Sequence, residues 1–190
     1  NVFAPMSEPD SPLPVMVFIH GGGFVAGGSS TYDAQALREA GNVVVVTLNY
    51  RLGAFGFLAH PALCPATEPC SNQGLRDQQL ALRWVRDEIA AFGGDPNNVT
   101  LFGESAGSVS ACTHMFAKGS DGLAKNFILQ SGSCTHGPLA PLSEQTAHAF
   151  GQSVIDALCP AGSEPISCLR EASPLDLAVT LIDTADPVVD

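Results

Sequence analysis

Apolar residues in this chain gather in short runs that end at glycine or proline. The run VMVFI (15–19) stops at HGGGF (20–24), and VVVVTL (43–48) is β-branched with no polar alternation. A continuous run of that kind predicts a parallel strand covered on both faces. VTLF (99–102) and NFILQS (126–131) predict two further strands. Between the runs the period lengthens. TYDAQALREAG (31–41) predicts a helix stopped by Gly41. Over 73–92, Leu75, Leu82, Val85, Ile89 and Phe92 recur at spacings of 7, 3, 4 and 3, one apolar helical face closed by GGDP. SVSACTHMFA predicts another helix directly after the third strand. Strands alternating with helices predict βαβ units and an α/β fold with a parallel sheet. From about residue 144 the pattern shifts to short helical stretches, EQTAHAFGQSVIDAL, SCLREA and LDLAVTLI. They are expected to form a helical insertion or cap (144–190) on a single domain spanning 1–190.

Composition narrows the function classes. Of 190 residues, 45% are hydrophobic and 14% charged, so a packed body is expected rather than a disordered one. The longest apolar run, NVVVVTL (42–48), is too short to span a bilayer, and the first residues have neither a basic leader nor an apolar core of a signal peptide. Nineteen acidic residues against eight Lys and Arg give a net charge of −11. No basic patch is available for phosphates, which argues against a nucleic-acid partner. Cys64 and Cys70 flank PATEP, and Cys159 and Cys168 flank PAGSEPIS. Neither loop has zinc-ligand spacing or nearby histidines. Local disulfides in an oxidising compartment are favoured over free thiols, which points to a secreted or periplasmic protein with a cytoplasmic one as the alternative. Cys112 and Cys134 remain, and the sequence does not choose between a third bridge and free thiols.

Two motifs carry chemistry. GESAG (103–107) has the form G-x-S-x-G between a predicted strand and a predicted helix, the context of a nucleophile elbow rather than a surface turn. Ser105 is then expected in a strained conformation on a sharp turn, with Gly103 and Gly107 where strand and helix pass too closely for side chains. Acyl transfer at Ser105 would create an oxyanion, which needs donors aimed where its charge appears. Ala106 N–H can supply one, and the glycine loop can supply others from Gly22 and Gly23, where a flexible loop is the plainer alternative. His20 lies upstream of the serine, contrary to the Ser, acid, His order of an α/β-hydrolase, so its ring is expected to brace the loop. Glu104 is expected buried beside the nucleophile in a supporting role. His114, His136 and His148 are expected at the surface or on a pocket wall.

FGGDPNNVTLFGESAG (92–107) resembles the active-site signature of the type-B carboxylesterases, the cholinesterase-like esterases and lipases. PVMVFIHGGGFVAGG, NYRLGAFGFL, NQGLRDQQLALRWVRDEI and FILQSGS look like that family's other landmarks, in its order, from Asn1 to roughly Arg170. Hormone-sensitive-lipase-like esterases share an HGGG loop but pair it with GDSAG and a DYRLAPE-type stretch. The resemblance implies an incomplete α/β-hydrolase fold holding the strands around the elbow. It implies Ser105 as nucleophile, with Gly22, Gly23 and Ala106 as oxyanion hole. It supports a Cys159–Cys168 bridge, whereas Cys64, Cys70, Cys112 and Cys134 depart from the usual pattern. It also implies an acyl pocket lined in part by 134–139, and a triad acid and histidine beyond Asp190. The expected activity is carboxylic ester hydrolysis on a small-molecule or lipid ester, without metal or organic cofactor. Residues 1–190 alone are expected to be inactive. The alternative is a catalytically silent adhesion module of the same fold.

Overall fold

A computed structural model describes residues 1–7, 9–63 and 71–183. Five strands make one sheet in the order β1-β3-β2-β4-β5: β1 Val2–Phe3, β2 Leu13–Ile19, β3 Val44–Thr47, β4 Gly94–Glu104 and β5 Asn126–Gln130. The pairs β2–β3, β2–β4 and β4–β5 are parallel, and β1 runs antiparallel to β3. The sheet is mixed and mostly parallel, as an α/β fold requires. All four residues of β3 are buried, the physical reason its sequence shows no alternation. β5 is the outer strand and leaves Ile128 and Leu129 exposed.

β4 starts at Gly94, five residues before the expected VTLF. Its pairing with β2 jumps from Leu13↔Gly94 to Val15↔Val99, so an irregularity absorbs the turn-like residues 95–98. Gly94 fits there because a methyl group would come within 2.7 Å of Val15 Cγ2 and 2.9 Å of Ile89 Cγ1.

The helices are α1 Gln35–Gly41, α2 Gly53–Phe57, α3 Gln73–Glu88, α4 Ala106–His114, α5 Glu144–Leu158, α6 Pro165–Glu171 and α7 Pro174–Asp183. α1 is shorter than expected because Ser29–Thr31 forms a separate 3₁₀ turn, and Asp33 then accepts the Gln35 N–H at 2.9 Å. Its left-handed stop is Asn42 (φ 47°, ψ 54°) rather than Gly41. α3 passes into a 3₁₀ turn over Ile89–Phe92 and stops at Gly93 (φ 78°). Leu82, Val85 and Ile89 of its apolar face are buried, whereas Phe92 is exposed and packs on Trp84 with ring centroids 5.8 Å apart. Among the described residues, no helix is long and apolar enough to cross a membrane.

The chain divides into two compact units. The first, Asn1–Tyr50 with Arg76–Ala140, holds the sheet and α4. The second, Arg51–Leu75 with Pro141–Asp190, holds the expected helical segment together with residues from the middle of the chain. In it, Ile155, Leu169 and Leu177 form a small core with Leu58 and Leu63 packed against it. The expected bridge Cys159–Cys168 is formed, with Cα atoms 5.9 Å apart. Cys64 and Cys70 lie outside the described residues.

Candidate active site

β4 ends at Glu104 and α4 begins at Ala106, so Ser105 alone turns the chain from strand to helix, at φ 55° and ψ −122°. A non-glycine residue held there stores on the order of 1–3 kcal/mol, and persists only where its surroundings over-determine it. They do so here. Ser105 N–H donates to Gln130 O (2.8 Å), continuing the β4–β5 ladder, and Val109 N–H donates to Ser105 O (3.0 Å). A methyl group at Gly107 would overlap the Ile19 carbonyl, and one at Gly103 would overlap the carbonyl of Gly107. The two flanking glycines therefore let α4 cross directly over the end of the sheet.

α4 is buried from Ala106 to Cys112, as befits a helix without a strongly amphipathic pattern. Its first N–H groups, including that of Ala106, have no carbonyl within the helix to bind. They add the positive end of the helix dipole beside the Ser105 hydroxyl.

The glycine loop follows β2, next to β4 in the sheet. Gly21 touches the nucleophile turn: a methyl group there would sit 2.8 Å from Glu104 O and 3.1 Å from Ser105 Cβ. Gly22 has φ 107°, and its carbonyl accepts the N–H groups of Val25 (3.1 Å) and Ala26 (3.0 Å). Gly23 has φ 63°. Among the described residues, the N–H groups of Gly22 and Gly23 have no hydrogen-bond acceptor. The sequence singles out Gly22 and Gly23 as donors, whereas the close approach to the nucleophile turn is made by Gly21. The signal was present in the length of the run: three glycines serve more than two donors.

His20 is buried. Its Nδ1–H donates to Gly21 O (2.8 Å), and its ring stacks on Tyr50 at 4.5 Å and 21°. The Tyr50 hydroxyl donates to His20 O at 3.0 Å. Burial, with a smaller contribution from Tyr32, holds the Tyr50 phenol well above its ordinary range, so this donor keeps its proton. The imidazole thus braces the loop carbonyl from inside.

Two expectations are corrected. Glu104 is exposed rather than buried: as the last residue of β4 it stands at the sheet's carboxyl end, with Oε2 beside Gly21. His114 is neither a surface nor a pocket-wall residue. It is buried, with Nδ1 2.9 Å from Ser120 Oγ and Nε2 2.9 Å from Gln78 Oε1. Burial pushes its pKa down to about 4. Gln78, fully buried on α3, also donates to Ser110 Oγ (3.1 Å), completing a polar link between α3 and α4 that neither helix's pattern signals. His136 is exposed, 2.9 Å from Thr135 Oγ1, and His148 is half-buried, 3.9 Å from Glu144.

Beyond β5 the chain stays against the elbow. Ser108 Oγ–H donates to Gly132 O (2.8 Å), and a methyl group at Gly132 would lie 2.5 Å from Ser105 O. Cys112 and Cys134, left open by the sequence, are bonded to each other, with Cα atoms 5.5 Å apart. A cleft of about 430 Å³ is lined by Asn1, Thr47, Asn49 and Trp84, on the β3 side of the sheet, and no lining residue belongs to the elbow.

The model described as the carboxylesterase family matches residues 1–187. The chain is 44% identical to an acetylcholinesterase of Gallus gallus over 93% of its own length and 23% of that protein's. It is 51% identical to the para-nitrobenzyl esterase of Bacillus subtilis (strain 168) over 70% of its own length and 27% of that protein's. An acetylcholinesterase of Electrophorus electricus is 44% identical over 93% of the chain and 28% of the relative. The chain thus spans about a quarter of the length of the curated relatives it matches. With a glycine loop and a strained serine turn set on adjacent parallel strands, and a family match running almost from end to end, this chain belongs to the type-B carboxylesterase family.

Proposed function

We propose that the protein carrying this chain hydrolyses carboxylic esters through an acyl-enzyme on Ser105. The observation that carries the reading is the Ser105 backbone at φ 55° and ψ −122°, between a strand and a helix whose N–H groups start beside it. Ser105 Oγ attacks the ester carbonyl carbon as its proton passes to a histidine base, which the family resemblance assigns to a segment beyond Asp190. The carbonyl oxygen becomes an oxyanion bound by the N–H groups of Gly22, Gly23 and Ala106. Each such donor is worth about 3 kcal/mol of barrier in enzymes of this chemistry. The C–O bond to the alcohol breaks, the alcohol leaves with the proton, and water then releases the acid and restores the serine. Glu104, exposed at the strand end, supports the loop side of the site through its neighbour Gly21. No cofactor takes part in this scheme.

The relatives' names include an acetylcholinesterase and a para-nitrobenzyl esterase, and the substrate class we propose is correspondingly broad, a small-molecule or lipid ester. A single domain with residues 144–190 as its cap, and a secreted or periplasmic location, complete the proposal. The test is labelling of the whole protein with a fluorophosphonate. A single adduct at Ser105, absent after Ser105→Ala, is expected. A wild type that takes no label while folded would instead support a silent adhesion module.

A further inference from the structure

We propose that the Cys112–Cys134 bridge is a positioning element for Ser105, so that the serine's reactive placement, and not only the stability of the fold, depends on it. The inference rests on reading Ser105 as the nucleophile. Ser105 occupies a backbone conformation that relaxes when its neighbours give way. One of those neighbours is the segment leaving β5. Gln130 O takes the Ser105 N–H, Ser131 turns the chain at φ 57°, and Gly132 then packs against the Ser105 carbonyl closely enough to exclude a methyl group. Gly132 is pinned to α4 by the Ser108 hydroxyl on its carbonyl. Two residues on, Cys134 is bonded to Cys112, and its N–H points at the Cys112 sulfur at 3.3 Å. Cys112 lies seven residues beyond Ser105, about two helical turns along the buried helix that starts at the serine.

Residues 135–138, by contrast, are exposed. The bridge therefore stands between a half-buried stretch touching the nucleophile and a solvated one. Opening the bridge removes the covalent tie two residues beyond Gly132 and leaves non-covalent contacts alone to hold this segment against the elbow, so Ser105 can settle toward an easier conformation. A nucleophile misplaced by about 1 Å can lose on the order of 10² in rate.

The experiment compares the whole protein with Cys112→Ser/Cys134→Ser, and with Cys159→Ser/Cys168→Ser as a matched control in the second unit. Fluorophosphonate inactivation is followed as separate kinact and KI values per folded molecule. The first variant is expected to lose about tenfold in kinact with KI within twofold, and the control to keep kinact within twofold. A first variant that melts earlier yet keeps its kinact would show a merely structural bridge and overturn the proposal. If that variant does not fold, native protein is reduced with a phosphine and alkylated until mass spectrometry finds Cys112 and Cys134 modified, and the same criterion applies. A wild type that takes no label removes the reading of Ser105 and this inference together. Labelling of wild type and variant at equal rates removes this inference alone.

Discussion

A methyl group added at Gly21, Gly22 or Gly23 meets a different obstacle at each position. At Gly21 it would strike Ser105 and Glu104; at Gly22 it would overlap the Ala26 carbonyl, at a φ of 107° that side chains rarely adopt. At Gly23 the nearest atom would be Val25 Cγ2 at 3.8 Å, and φ 63° is left-handed but accessible at a cost of about 1–2 kcal/mol. Gly22→Ala is therefore expected to lower the labelling rate of Ser105 more than tenfold and to lower the melting temperature. Gly23→Ala should stay within a few-fold in rate, since it keeps its N–H. Comparing the two variants by inactivation kinetics and thermal unfolding tests the assignment of the loop. At this scale the sequence was informative about which residue types are required, because a serine flanked by glycines has few other uses. It was silent about what each glycine touches. The exposure of Glu104 was equally illegible, since it depends on which way the end of β4 faces.

Elements were legible where a pattern is local. The parallel strands, the apolar stripe of α3 and the helix after the elbow all follow from period and punctuation. The early start of β4 did not, because residues 94–98 look like a turn and pair only through the irregularity opposite Leu13 and Val15. Nor did the buried link between α3 and α4, whose members Gln78 and His114 lie 36 residues apart. That link has a measurable consequence. Burial lowers the His114 pKa to about 4 from an ordinary 6.5. Above pH 6.5 both folded and unfolded states hold it neutral, and its full contribution is present. As pH falls from 6.5 towards 4, the unfolded state gains a proton that the native state refuses, so stability is lost. Below about 4 the native state protonates too, and the loss levels off. The total is about 3 kcal/mol. Urea unfolding at pH 7, 5.5 and 4 should show this extra loss in wild type and not in His114→Gln.

For the molecule as a whole, the two described disulfides tie one site in each unit, and among the described residues no cysteine is free. Such bridges belong to an oxidising compartment. Maleimide should therefore leave Cys112, Cys134, Cys159 and Cys168 unmodified in unreduced, denatured protein, and finding all four alkylated would place it in the cytosol. The Ser105 turn bears on the molecule's stability as well as its chemistry. Glycine would occupy φ 55°, ψ −122° at less cost than serine, so Ser105→Gly is expected to raise the melting temperature by a few degrees while abolishing the adduct. The hydroxyl at this turn is thus carried at a cost to stability that glycine would relieve.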